Sequence, residues 1–141
     1  MKEEYLDPLV SWDVADKARD IGFKDYCVES FVRTDEVKEH QSVIDSTYTG
    51  LIPDMWEWEC YRPSLGQLRT WIGKTYDVEV NITPYSYFVN KVKHKYWSFE
   101  VLTGDTMTLT LGKTGYTSFD LALDDALHGA IKWIIKIQKN V

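Results

Sequence analysis

Residues 117–138, TSFDLALDDALHGAIKWIIKIQ, determine how the rest of the chain must fold, because they predict one long amphipathic helix. The apolar residues recur every three or four positions and form one broad face: Phe119, Ala122, Leu123, Ala126, Ala130, Ile131, Trp133, Ile134 and Ile137. Thr117 and Asp120 have the spacing of a capping box at the helix start. A helix with such a face needs an apolar surface to cover, so the preceding segments are expected to supply a sheet.

A second helix and three strands are predicted just before it. Ser64 and Gln67 have capping-box spacing, and the helix after them carries Leu65, Leu68, Trp71 and Ile72 on one side. Alternating apolar and polar residues then predict strands at 77–83, 95–102 and 106–111. Pro84 is expected to weaken or end the first of these strands, since proline cannot donate to the hydrogen-bond ladder.

Each predicted strand has one apolar face. The side chains expected to face the helices are Val78, Val80, Ile82, Trp97, Phe99, Val101, Met107, Leu109 and Leu111. One such face per strand suits an antiparallel sheet covered on one side only. We therefore predict an α+β fold whose C-terminal half is ordered α-β-β-β-α, with the helices on one face of the sheet.

The N-terminal part of the chain, residues 1–62, predicts a helix with added strands or loops. The pattern favours a helix at 12–21, a strand at 26–32 and a weaker strand at 42–49. Gly22 has the position of a left-handed helix terminator. Residues 51–62 alternate aromatic and acidic side chains, which suits a short strand and a connector anchored by its aromatics equally well. An anchored loop is favoured over an aromatic ligand-binding patch. We expect this part to pack against residues 63–141 in a single domain.

Charge is unevenly distributed along the chain. The 141 residues have a formal net charge of −6. Residues 1–60 hold 6 basic and 15 acidic side chains, whereas residues 61–141 hold 10 basic and 7 acidic ones. We interpret the acidic half as a solubilising surface, with a surface for a basic partner as the alternative.

The length of the apolar runs and the cysteine spacing indicate a cytoplasmic protein that does not enter a membrane. No apolar run reaches the ~18 residues of a membrane span, and the first residues lack the apolar run of a signal peptide. Cys27 and Cys60 have no CxxC spacing and are expected to be buried thiols rather than a disulfide.

Motifs for catalysis, metals and cofactors are absent from the sequence. His40, His94 and His128 lie far apart and lack the spacing of metal ligands. The sequence GKTG at 112–115 resembles the end of a phosphate-binding loop, but Met107 stands where the first glycine is required. We interpret it as a connection from a strand to a helix. We therefore predict a protein that is not an enzyme and that holds neither a cofactor nor a metal.

Two segments contain candidate binding residues. Lysines interleave with aromatic rings at 85–97, a combination that binds single-stranded nucleic acid by phosphate contacts and base stacking. The candidates there are Tyr87, Lys91, Lys93, His94 and Lys95. In the aromatic segment 51–61 the candidates for binding a protein are Trp56, Trp58 and Tyr61. A solvated hairpin tip and an anchored loop are the alternative, purely structural interpretations.

The order of elements also resembles a double-stranded RNA-binding domain, whose first loop between strands enters a minor groove. That family has a second contact, a lysine cluster at the start of its last helix. Here residues 118–122 contain Asp120 and no lysine, and Asp124 and Asp125 follow. These carboxylates would repel phosphates, so nucleic acid is predicted to be the less favoured partner.

Two groups of residues together resemble a family of small uncharacterised proteins found in prophages and mobile elements of gut bacteria. The first group is Ile21-Gly22-Phe23 with Tyr26-Cys27. The second is Arg62-Pro63-Ser64-Leu65, Leu68, Trp71-Ile72, Val78-Glu79-Val80, Thr117-Ser118-Phe119, Ala122-Leu123, Ala126-Leu127 and Ala130-Ile131. The chain departs from the family at Ile72, where leucine is usual, and at Gly73, where arginine is common.

The resemblance implies a cytoplasmic accessory protein of a phage or mobile element, and it carries no activity over to this chain. Because the sequence also lacks motifs for catalysis, metals and cofactors, we expect a non-enzymatic protein that acts by binding an unidentified protein partner. The alternative is a nucleic-acid-binding module that uses the hairpin around residues 85–97.

Overall fold

The chain is an α+β protein, as the sequence predicts. A computed structural model describes residues 8–25, 27, 29–34, 40–44, 56–104 and 108–139, and side chains within these ranges except at 32–34, 40–44 and 56–59. The elements are α1 (Trp12–Asp20), β1 (Glu29–Thr34), β2 (His40–Ile44), β3 (Trp56–Arg62), α2 (Leu65–Tyr76), β4 (Val78–Val89), β5 (Val92–Thr103), β6 (Thr108–Tyr116) and α3 (Phe119–Lys139). They form two compact units, residues 1–64 and 65–141.

Helix α1 of the first unit ends at the glycine that the sequence predicts. Gly22 has a φ of 100°, a conformation that a residue without Cβ adopts readily. The Phe23 amide donates to the Ala18 carbonyl at 2.9 Å, and the Gly22 amide donates to the Arg19 carbonyl at 3.0 Å. These two bonds form a Schellman motif, which satisfies carbonyls that the helix end would otherwise leave unpaired.

The first unit also contains a three-stranded antiparallel sheet of order β2-β1-β3. Residues 56–62 pair with β1, so the strand, one of the two interpretations of 51–62, is confirmed for this part. The period-two pattern fits a strand, because it places Cys60 in the core while the backbone pairs with β1. Residues 45–55 lie outside the described part of the chain.

Phe31 on β1 is the centre of the packing in this unit. Its ring makes an edge contact with Trp12, with centroids 5.2 Å apart, and the Arg62 guanidinium lies 4.9 Å from the centroid on another side. Arg62 Nε also donates to the Val10 carbonyl at 2.8 Å, which ties β3 to the segment before α1. Cys27 and Cys60 are buried thiols that no disulfide joins, as predicted.

In the second unit, α2 and α3 pack on one face of a β4-β5-β6 antiparallel sheet, as the sequence predicts. Both helices contact β4 and each other. The buried side chains of this core are Leu65, Leu68, Ile72, Val78, Val80, Phe99, Val101, Ala122, Leu123, Ala126, Leu127, Ala130, Ile131 and Ile134. The periodicity of each segment thus matches the face that it buries.

The start of α3 differs by one residue from the predicted cap. The Leu121 amide donates to the Ser118 hydroxyl at 3.2 Å, so Ser118 caps the helix where Thr117 was expected to. The long β6 strand explains the shift, because it continues to Tyr116 and brings the chain to the helix later. The sequence GKTG at 112–115 lies inside β6, and its interpretation as a connection is therefore wrong.

A register shift in β6 turns one side chain outward that the sequence predicts to face the helices. Val101 pairs with Leu111, whereas Leu102 pairs with Leu109, so one extra residue stands between the two pairs on β6. This bulge turns Leu109 to the face of the sheet away from the helices, where it is 57% exposed. The prediction that Leu109 faces the helices is wrong for this reason.

Candidate nucleic-acid interface

Residues 83–97 of β4 and β5 form a hairpin end that the helices do not cover, here named the distal hairpin. Every residue from 83 to 95 is exposed. The expectation that Pro84 ends a strand is wrong, because β4 runs through it to Val89. Among the described strands β4 lies at the edge of its sheet, so Pro84 needs a pairing partner on one side only.

A two-residue turn closes the distal hairpin. Asn90 and Lys91 have φ values of 51° and 66°, between the paired residues Val89 and Val92. Positive φ at both central residues is the signature of a type I′ turn, whose twist matches that of antiparallel strands. The turn fixes the pairing of β4 with β5, and hence which side chains share a face.

Four rings stack on the face of the distal hairpin that points away from the helices. Tyr85 and Tyr96 are stacked with centroids 5.4 Å apart and planes 15° apart, and Tyr87 and His94 with centroids 5.1 Å apart and planes 17° apart. Tyr87 also lies 5.7 Å from Tyr96. Each stacked pair joins residues directly opposite in the register, where neighbouring side chains approach most closely.

The lysines of this segment lie at the turn and on the other face. Lys91 is in the turn, while Lys93 and Lys95 pair with Phe88 and Ser86 and therefore share the face of Trp97. Lys95 Nζ lies 4.6 Å from the centroid of the Trp97 ring. Lys91 and Lys93 form no ion pair with any described residue, which leaves their ammonium groups to solvent or a ligand.

Trp97 joins the distal hairpin to the covered part of the sheet. Its ring makes an edge contact with Phe119 at the start of α3, with centroids 5.6 Å apart. Beyond Trp97 the strands carry the core residues Phe99 and Val101. The hairpin is therefore anchored at one end and exposed at the other.

Local charge at the distal hairpin is opposite in sign to that of the whole protein. Residues 80–99 contain three lysines and no acidic residue. The nearest acids along the strands are Glu79 and Glu100, which pair with Leu102 and Asn81 near the helix-covered end. A chain of net charge −6 thus presents one positive projection.

A groove of about 520 Å³ lies between β5 and the end of β6. Its lining residues are Tyr87, His94, Lys95, Tyr96, Thr114, Gly115, Tyr116 and Thr117. The volume falls within the roughly 300–1,000 Å³ of small-molecule sites. The groove is therefore large enough to hold a planar group beside the ring face of Tyr96.

Tyr116 forms a fixed wall of this groove. Its hydroxyl donates to Asp125 Oδ2 on α3, and Lys113 Nζ lies 3.7 Å from the same carboxylate oxygen. Burial first, and then the hydrogen bond to Asp125 and its charge, raise the pKa of the Tyr116 phenol above its ordinary value. The Tyr116 hydroxyl therefore keeps its proton, and its hydrogen bond to Asp125, to a pH above the ordinary range of a phenol.

The structure places the predicted nucleic-acid-binding residues on one hairpin. Tyr87 and His94 stack on each other, and Lys91, Lys93 and Lys95 follow from the turn along β5. The candidate set left out Tyr85 and Tyr96, although the period-two alternation puts them on the face of Tyr87. The groove residues of β6 had no signal in the sequence, because they depend on how β6 pairs with β5.

The predicted protein-binding residues lie on β3. Trp56 and Trp58 pair with Thr34 and Val32 of β1, and their side chains lie outside the described part of the structure. Tyr61 is half-buried. Whether these residues form an exposed aromatic surface therefore stays a prediction.

The described residues contain neither a cluster of metal-ligating side chains nor a membrane-spanning helix. No group of three or more potential metal-ligating side chains occurs within them. None of their helices has the length and apolar character needed to cross a membrane.

Comparisons with other proteins give no match: no protein-family model, curated protein or solved structure is similar enough to this chain to assign a family.

Proposed function

We propose that this protein binds nucleic acid through the distal hairpin. The observation that carries the proposal is the projection of Lys91, Lys93 and Lys95 on a segment free of acidic residues, beside exposed aromatic rings. Lysine ammonium groups neutralise phosphates and release their counterions, which supplies most of the affinity in binding that is independent of sequence.

Negative charge elsewhere limits the extent of such an interface. Asp120, Asp124 and Asp125 lie in the first turns of α3, and Glu79 and Glu100 lie toward the covered end of the sheet. A phosphate backbone is repelled from both regions and is confined to the distal hairpin. Contact with only about three phosphates gives an affinity in the range of non-specific binding, on the order of 10⁻⁴–10⁻⁶ M at physiological salt.

Nucleic acid takes precedence over the predicted protein partner because its candidate side chains lie together on one exposed hairpin. The proposed surface at Trp56, Trp58 and Tyr61 has no comparable support. A role in a prophage or mobile element likewise rests on the sequence resemblance alone, and it is compatible with a nucleic-acid-binding protein.

The test is the affinity of the full chain for a fluorescently labelled 20-nucleotide oligonucleotide, measured by anisotropy at several salt concentrations. Replacing Lys91, Lys93 and Lys95 with alanine is expected to weaken binding at least tenfold at low salt. Because each lost phosphate contact changes the slope of log K against log salt by about 0.7 for a single strand, the slope should fall by about 2.

The matched control replaces Lys132, Lys136 and Lys139 with alanine. These lysines are also exposed, and the change in net charge is the same, but they lie toward the other end of α3. The control should bind within about twofold of the wild type. Equal losses of affinity in the two triple variants would show that only net charge matters, and this would overturn the proposed interface. The interface would also be overturned if the wild type showed no detectable binding at 50 mM salt.

A further inference from the structure

The stacking of Tyr96 leaves one of its ring faces directed away from Tyr85. Tyr85 on the edge strand β4 covers one face, with planes 15° apart. Since β5 lies between β4 and β6, the opposite face of Tyr96 is directed toward the β6 side. No ring described in the structure stacks on that side, where the groove lies instead.

The groove exists because β6 bulges and then leaves the sheet. Trp97 pairs with Tyr116 and Ser98 with Thr114, so Gly115 is the extra residue of the bulge, with a φ of 96°. A Cβ at Gly115 would meet no atom within 4 Å, which means that the space beside it is open. The chain then turns at Thr117 into α3, and β5 residues 94–96 have no β6 partner.

We propose that this groove receives one unpaired nucleobase, stacked on the open face of Tyr96. The ligand class is single-stranded nucleic acid, whose bases can turn out and stack on aromatic side chains. A base within a duplex is stacked on both sides by its neighbours and cannot enter. This inference rests on the proposed function and makes it specific for single strands.

The charges around the groove suit a base whose backbone continues toward the turn. Lys95 is at the rim, and Lys93 and Lys91 follow on the same strand and its turn. Beside the groove, Tyr116 ends β6 with its hydroxyl committed to Asp125 on α3, on the helix-covered face that it shares with Trp97. The bound strand is thus directed from the groove to the tip of the distal hairpin, away from the acids of α3.

The experiment compares four proteins with labelled 12-nucleotide oligothymidylate, oligouridylate and a DNA duplex of the same length. The full-length wild type should bind either single strand at least tenfold more tightly than the duplex. Tyr96→Leu should weaken single-strand binding by about 5- to 150-fold, the range for loss of one base–aromatic stack. Tyr96→Phe keeps the ring and should stay within about twofold of the wild type.

Phe88→Ala is the matched aromatic control. Phe88 is 70% exposed on the same hairpin but faces away from the groove, since it pairs with Lys93. It should change affinity by no more than about twofold. Insertion can also be seen directly: a 2-aminopurine base within the oligothymidylate should lose fluorescence on binding the wild type and Tyr96→Phe, but not on binding Tyr96→Leu.

The outcomes separate this inference from the proposed function. Duplex binding as tight as single-strand binding, or equal losses in Tyr96→Leu and Phe88→Ala, would overturn base insertion and leave the lysine interface standing. No binding of any probe would overturn both.

Discussion

Tyr116 links the sheet to α3 through one hydrogen bond to a carboxylate. Its phenol donates to Asp125, which Lys113 also approaches, and the Lys113 ammonium lies 5.6 Å from the centroid of the Tyr116 ring. The partners are partly exposed, so the ion pair itself contributes little. The hydrogen bond of a neutral donor to a charged acceptor is the stronger part of the cluster.

Removing this hydrogen bond should have an effect on stability that depends on pH. The folded protein holds the Tyr116 proton more tightly than the unfolded chain, whose tyrosines have a pKa near 10. The contribution of this phenol to the free energy of unfolding is therefore fully present below about pH 10, and it is lost as the pH rises above 10. We expect Tyr116→Phe to be less stable than the wild type by about 1 kcal/mol at pH 8. The difference should shrink between pH 10 and pH 11.

Urea unfolding of the two proteins at pH 8, 9, 10 and 11 measures this difference. The other tyrosines are present in both proteins and cancel in the comparison. A parallel absorbance titration at 295 nm should show a phenol in the wild type that ionises above the ordinary range and is missing in the variant. A stability difference that stays constant from pH 8 to pH 11 would contradict this account of Tyr116.

Gly129 of α3 lies against Leu111 of β6. A Cβ at this position would collide with Leu111 Cδ2. Glycine inside a helix costs roughly 0.5–1 kcal/mol relative to alanine, because the unfolded chain gains conformational freedom. Glycine nevertheless suits this position, because the Leu111 side chain occupies the space that an alanine methyl group would fill.

A double-mutant cycle should therefore show that the effect of Gly129→Ala on stability depends on residue 111. In the wild type we expect Gly129→Ala to change stability by less than about 0.5 kcal/mol, because displacement of the partly exposed Leu111 side chain offsets the gain in helix propensity. In a Leu111→Ala background, the same substitution should stabilise the fold by about 0.5–1 kcal/mol through helix propensity. Chemical denaturation of the four proteins gives both values, and additive effects would show that the two residues do not couple.

The elements that local periodicity controls were predictable from the sequence. Helix α3 and the buried faces of β4 and β5 follow from patterns of 3.6 and 2 residues, which need no knowledge of neighbours. Other features depend on pairing. Pro84 fits within β4 because that strand lies at an edge, and Leu109 turns outward because β6 bulges opposite Val101 and Leu102. A single segment does not reveal which strand will lie beside it.

The same distinction applies to the candidate site. Tyr87 and the lysines were recognised because their residue types are close in sequence. Tyr96 follows from the alternation once β5 is known to begin at Val92. Gly115 acquires its role only from the register of β6 against β5, where it is the extra residue that opens the groove.

At the scale of the whole molecule, the distal hairpin must act within a net negative field. Residues 1–64 hold 7 basic and 15 acidic side chains, whereas residues 65–141 hold 9 basic and 7 acidic ones. The whole chain has a net charge of −6, whereas residues 65–141 alone have a net charge of +2. Net negative charge slows the approach of a polyanion, and salt screens that repulsion over a Debye length of about 8 Å at physiological ionic strength.

A fragment of residues 65–141 tests this effect and the single-domain prediction together. All proposed binding residues lie in the fragment, as do the buried residues of α2, α3 and β4–β6. If the fragment folds, it should bind oligothymidylate several-fold more tightly than the full chain at 20 mM salt and within about twofold of it at 150 mM, because screening removes the difference. Circular dichroism and anisotropy provide the two measurements. A folded fragment with lost affinity would assign part of the interface to residues 1–64, whereas an unfolded fragment would support one cooperative domain that spans residues 1–141.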